Sequence, residues 1–326
     1  MQHALPLPTR EPPGRRPLGM LAARRPLCNQ SEAMTTALVH IALSAYVAAA
    51  VFFLVWLVRP QRPAAPDATS RLVSAGRAML LVGVVLHLAS FAAARAQGGI
   101  ATAGLGGDEW RGGQLFSLLA AVTVAGYLIL DFRYKLPVAG AFVAPFTVAV
   151  MVPAHLVQTG ARQFAPSLTH SAALALHVGA AALGSAALGL AFALSLLYLL
   201  GEKQIKNKHP GRLFSRLPSL DLIDRAGWRL SVWGFAFLSI AIATGSLVSK
   251  ESTGASFPLQ PKEGFAVLAW ALLAALIQAR LVAGWRGRRV ALLVVAGFLL
   301  LVGTYAGLFA APPQASTLSM LVPGGG

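Results

Sequence analysis

The chain holds one cysteine, Cys28, among 326 residues. That excludes an intramolecular disulfide, a CxxC redox pair and any metal site built on cysteine. Charge is scarce as well: 12% of the residues are Asp, Glu, Lys or Arg, about half of what a water-soluble globule carries. Acidic residues are scarcest, 11 against 27 basic ones. No GxxxxGKS/T, HExxH or GxSxG segment occurs, so the nucleotide-binding, zinc-protease and serine-hydrolase fingerprints are missing, as are repeats of fixed period. Against these gaps stand a hydrophobic fraction of 56% and a mean hydropathy of +0.66, the profile of a polytopic membrane protein. The net charge of +16 does not point to nucleic acid, because the positive residues sit between apolar runs and not on a polar face.

A bilayer core about 30 Å thick takes about 20 apolar residues per helix. Eight stretches qualify: Thr36 to Val58, Val73 to Ala94, Gln114 to Leu130, Pro137 to Val157, Ser171 to Leu200, Arg229 to Ser249, Gly264 to Ala283 and Val290 to Ala310. The expected fold is all-α, a membrane bundle of about eight transmembrane helices. The series Gly179, Gly184, Gly189 in the fifth span suits close helix approach. Alternate loops carry seventeen and five Lys or Arg residues. The richer set, which includes Arg59, Arg133, Lys135, the run from Lys203 to Arg229 and the arginines from Arg280 to Arg289, is expected to be cytoplasmic, with both termini external.

The domain organisation follows. Residues 1–33 form an Arg- and Pro-rich basic tail, expected to be disordered and without the apolar stretch of a signal peptide. Its charge conflicts with an external position, and Met34, directly before the first span, is the more natural start. Residues 34–310 make the eight-span domain, and 311–326 an uncharged, flexible external tail. The Gly-rich stretch from Gly98 to Gly113 reads as a flexible external loop. From Leu217 to Arg229 the pattern predicts an amphipathic helix capped by Ser219, with Asp221 at its positive dipole end, lying along the interface before it turns into the sixth span.

Histidine is the side chain here suited to ligate a haem iron or carry protons. His40, His87, His155, His170 and His177 all fall in the outer leaflet or at its surface, whereas His209 is cytoplasmic and His3 is in the tail. Taken singly, His40, His155 and His170 read as interfacial residues with ordinary hydrogen bonds. His87 and His177 lie deeper, where an unsatisfied ring is costly and a partner is expected. Facing each other across the second and fifth helices, they could hold a haem iron from both axial sides. Trp228, Trp233 and Trp285 read as interfacial anchors. Trp270 lies within the seventh span, and Trp110 in the Gly-rich loop either rests on the surface or caps a ligand.

Leu217-Pro-Ser-Leu-Asp, Arg225, Gly234-Phe235 and Thr244-Gly245, followed by Pro261-Lys262-Glu263, Trp270, Ala279-Arg280, the run Gly284-Trp285-Arg286-Gly287-Arg288-Arg289, Gly297-Phe298 and Thr304-Tyr305, resemble in order the later part of the cytochrome c assembly proteins. These are the CcsA/CcmC group and its HemX-like branch. His177, heading a long helix that ends in Leu200-Gly-Glu-Lys-Gln, and His87 resemble histidines of that family. Two departures are plain. The tryptophan-rich loop of the family is replaced by Ser249-Lys-Glu-Ser-Thr-Gly-Ala-Ser-Phe-Pro-Leu-Gln, and Gln278 stands where many relatives have histidine. Both fit the eight-span HemX-like branch better than a complete cytochrome c synthetase.

The resemblance implies a multi-pass protein of the bacterial inner membrane that binds or presents haem at the outer face, b-type and non-covalent. His87 and His177 would be its metal ligands, with His170, His40 and Trp270 nearby in the cofactor site. Its partners would be membrane lipid and other cytochrome c assembly proteins, with no nucleic acid, and no covalent step is expected of this chain alone. Two other classes stay open: a non-haem scaffold that regulates tetrapyrrole synthesis or a respiratory complex, and a small-solute transporter. The transporter is disfavoured because no charge occupies the middle of a span.

Overall fold

The computed structural model describes residues 18–59, 66–96, 109–110, 112–156, 162–163, 172–208, 216–254 and 261–310. Residues 1–17 and the tail 311–326 lie outside these. Among the described residues eight helices follow one another: α1 (Leu18–Val58), α2 (Pro66–Ala96), α3 (Gly112–Tyr134), α4 (Pro137–Leu156), α5 (Ala172–Lys206), α6 (Leu220–Thr253), α7 (Pro261–Val282) and α8 (Arg288–Ala310). The all-α membrane bundle is thus the observed fold. Seven helices are long and apolar enough to cross a bilayer, and α4 is apolar over Pro137–Val152. α1 begins at Leu18, upstream of Met34. The loops after α2 and α4 meet in a two-residue antiparallel pair, Glu109–Trp110 (β1) with Arg162–Gln163 (β2), so the predicted Gly-rich loop is paired at Glu109–Trp110.

Local chemistry sets the helix ends. Pro137 opens α4 and Pro261 opens α7, the first-turn position where a missing N–H costs nothing. Ser219 caps α6 through its hydroxyl, which accepts from the Leu222 amide, and Gly254 closes α6 in the left-handed region. One expectation needs correction. The segment after Leu217 does not lie along the interface as a separate helix but runs unbroken into the sixth span. Its apolar face is taken up by the bundle: Ile223 and Ala226 are buried in the core with Leu194 and Leu197 of α5, so no lipid surface is needed to cover it.

Lipid tails are as apolar as leucine, so close packing and polar contacts, more than water exclusion, hold membrane helices together. α5 is the most buried span and packs on α3, α4, α6 and α8. Its largest interface, with α6, rests on glycine facing glycine. A Cβ at Gly184 would come within 3.1 Å of the Leu238 amide nitrogen, and one at Gly234 within 2.6 Å of Leu188 Cγ. On the other side, Tyr46, Phe53 and Tyr127 fill the core between α1, α2, α3 and α4.

Polar contacts lock the end at which the predicted cytoplasmic loops lie. Arg77 of α2 grips Asp131 of α3 through two hydrogen bonds of 2.6 and 3.0 Å. Arg280 of α7 does the same to Asp224 of α6 at 3.1 and 2.7 Å, while the Gly287 amide donates to the same carboxylate. Arg216 donates to the carbonyls of Trp56 and Arg59 and stacks over the Trp56 ring at 4.4 Å. It thereby satisfies carbonyls that the end of α1 leaves without intrahelical donors. Burial pushes its guanidinium below the ordinary arginine range, yet an arginine so placed stays charged.

Candidate functional site

His177 lies near the start of α5 and faces α6. Its Nδ1 is 2.7 Å from the Ala241 carbonyl oxygen. A carbonyl only accepts, so Nδ1 carries a proton, and when the ring is neutral its lone pair is on Nε2. Metal-binding imidazoles use this arrangement: the far nitrogen donates to a carbonyl and fixes ring and tautomer. In a helix the Ala241 carbonyl points toward residue 245, and that residue is glycine. A Cβ there would come within 2.8 Å of both His177 Nδ1 and Cε1. Gly245 therefore opens the notch through which the ring reaches the α6 backbone.

His87 is held differently. It is fully buried on α2, with Nδ1 3.3 Å from the Tyr46 hydroxyl of α1 and Nε2 2.5 Å from Ser117 Oγ of α3. Phe91 stacks on its face, 5.4 Å between centroids and 10° from parallel. Each ring nitrogen thus has a hydroxyl partner, and ligation of iron by His87 requires one of them to be given up. The structure attaches His87 to α1 and α3 and His177 to α6. The two rings are thus held by different neighbours.

The other predicted site residues scatter. His40 is exposed on α1, its Nδ1 2.7 Å from the Thr36 carbonyl one turn back. Trp270 donates from Nε1 to Ser239 Oγ at 2.9 Å and stacks on Phe235, which ties α7 to α6 and engages its single polar atom. His170 and His209 fall outside the described residues, and the side chain of His155 is outside them too. The sequence reading missed the polar groups around Asp131, Asp224 and Arg216. Charges of opposite sign just inside span ends were the available signal.

The family described as cytochrome C assembly protein matches residues 112–308, which run from α3 through α8. The chain belongs to the cytochrome c assembly family. Among relatives, the cytochrome c biogenesis protein CcsA of Gloeothece citriformis (strain PCC 7424) is 34% identical over 98 residues, 30% of each chain. CcsA of Prochlorococcus marinus (strain AS9601) is 27% identical over 215 residues, covering 59% of this chain and 69% of that one. The solved structure of the cytochrome c heme lyase CcmF superposes with a TM-score of 0.59 at 15% identity, over 84% of this chain and 46% of that one; this likeness shows the fold. The chain thus spans under a third of the Gloeothece relative and less than half of CcmF. The family-matched segment contains His177, Ala241, Gly245 and Trp270, whereas His40 and His87 lie on helices before it.

Proposed function

We propose that this protein handles haem in cytochrome c assembly, through a site at the His177 end of α5 and α6. The observation that carries the reading is the Nδ1–H of His177 donated to the Ala241 carbonyl over Gly245, within the segment that matches the family. His177 is the ligand of this reading, its ring fixed through Nδ1, whereas His87, with hydroxyl partners on both nitrogens across α1 and α3, would give one of them up to ligate. Bound haem would supply a redox-active iron whose properties follow from its axial ligand. The chain's own part is to fix the imidazole, present Nε2 and hold the surrounding helices apart from water. A b-type, non-covalent mode agrees with the lone Cys28, since two cysteines are needed for the usual thioether attachment.

Lys/Arg asymmetry supports placing the Lys203 to Arg229 end in the cytoplasm and the His177 end outside a bacterial inner membrane, with both termini external. The eight-helix order supports the HemX-like branch, with 34–310 as its membrane domain and other cytochrome c assembly proteins as partners. The deciding experiment is the absorption spectrum of the detergent-purified protein with a parallel assay of extracted haem. A Soret band is expected, lost or shifted toward high spin in His177→Ala and retained in His87→Ala. Wild-type protein without haem, or an unchanged spectrum in His177→Ala, would refute the proposal. If His87→Ala and His177→Ala shift together, the bis-imidazole pairing is restored in place of the single ligand.

A further inference from the structure

At the end of α3 two arginines meet one phenol and a lysine follows it in the chain, and among the described residues none of the three has an ion pair. Arg229, near the start of α6, donates from Nη1 to the Tyr134 hydroxyl at 2.7 Å. Arg133 places its guanidinium 5.4 Å from the centroid of the same ring. Lys135 follows directly, in the left-handed region at φ 51°, with its side chain exposed. The described acidic residues of this end are committed elsewhere: Asp131 to Arg77, Glu202 to Lys206, Asp221 to Arg225 and Asp224 to Arg280. Like charges repel, so holding two of them at one phenol with a third next in the chain is unfavourable until an anion joins them.

The surface beneath the cluster says which anion. Ile129 is 71% exposed and Phe132 89%, and both share the outward face of α3 with Arg133 by helical spacing. This face closes an apolar span that runs from Phe116 to Tyr134. A cationic rim directly above an uncovered apolar wall matches a molecule with a phosphate at one end and acyl chains at the other.

We propose that Arg133, Lys135 and Arg229, organised by Tyr134, bind the phosphate of an anionic phospholipid whose acyl chains lie against Ile129 and Phe132. The site is independent of haem. Soluble phosphate would meet the same cations but gain nothing from the wall.

The test uses the full chain in phosphatidylcholine nanodiscs containing a minor fraction of phosphatidylglycerol, with retained phosphatidylglycerol read by native mass spectrometry. Wild-type protein should retain it selectively, and R133Q/R229Q should lower the apparent affinity roughly 25-fold. The charge-matched R59Q/R71Q, altering exposed arginines of the same end, should lower it much less, since a screened charge outside the site adds only diffuse attraction. Equal losses in the two doubles would mean diffuse attraction and overturn the site. Displacement of the lipid by millimolar inorganic phosphate would also overturn it, in favour of a soluble anion. If R133Q/R229Q does not fold, K135Q carries the test: a roughly fivefold loss supports the site, and no change refutes it.

Discussion

Gly245→Ala is the sharpest perturbation of the His177 site. The new Cβ would start 2.8 Å from Nδ1 and Cε1, whereas non-bonded carbon contacts settle near 3.5 Å or beyond. The ring must then withdraw by about 0.7 Å, which stretches its 2.7 Å bond to the Ala241 carbonyl to about 3.4 Å, beyond the usual N–H···O range of about 2.7–3.2 Å. Crowding of this kind costs about 1–3 kcal/mol, and the lost hydrogen bond adds about 1 kcal/mol. Replacing glycine by alanine inside a helix returns about 1 kcal/mol, so the single variant should be destabilised by about 2 kcal/mol. With the ring removed, only the propensity gain is left. In a His177→Ala background the same substitution should therefore stabilise, giving a coupling of about 3 kcal/mol between the two positions. Equilibrium unfolding of the four proteins in one detergent measures that coupling, and the haem spectrum of Gly245→Ala reports whether the displaced ring still ligates. Additive effects, within about 0.5 kcal/mol, would refute the packing argument; wild-type haem binding by Gly245→Ala would refute the claim that the notch positions the ligand.

Two further predictions concern the opposite end and the orientation. Asp224→Asn should destabilise the protein by about 3 kcal/mol, because it leaves Arg280, whose side chain is 10% exposed, without its counter-charge; Asp224→Asn with Arg280→Met should recover much of the loss, and a melting temperature unchanged in the single variant would contradict this. For orientation, a Cys28→Ser protein carrying cysteine at Ser252 should react with a membrane-impermeant thiol reagent in intact cells, and one carrying cysteine at Ser215 should not; the reverse pattern would put the His177 end in the cytoplasm.

Hydropathy sufficed to locate the eight helices because each span must satisfy its own backbone in lipid, so each reads independently of the others. The caps were legible for the same reason: Ser219 and Asp221 act on the helix that contains them. What could not be read were bonds between distant segments, since helical periodicity names a face without naming what covers it. Arg77 and Asp131 are 54 residues apart, and Arg216 reaches back 160 residues to Trp56. His87 illustrates both sides. Its depth correctly required a polar partner, but depth cannot distinguish an iron from two hydroxyls on α1 and α3. Thr244-Gly245 stood out only as a resemblance, and its physical reason, room for a ring 68 positions earlier in the chain, needed the packed pair α5 and α6.

The division between α1–α2 and the family-matched helices gives these distant bonds a common role. The matched segment begins at residue 112, so α1 and α2 precede it, yet both are packed into its core. Apolar contact alone attaches a helix weakly and without fixed register in lipid, where its alternative neighbours are equally apolar. Polar contacts among the described residues cross the boundary at both ends of the bundle. Arg77 joins α2 to Asp131 at one end of α3, His87 joins α2 to Ser117 near the other end, and Arg216 joins the end of α1 to the entry of α6. Two bonds at opposite ends of the same helix pair fix both tilt and sliding of α2 on α3, which one bond cannot do. On this reading His87 is a fastening between α2 and α3, which in turn packs on the helix that carries His177.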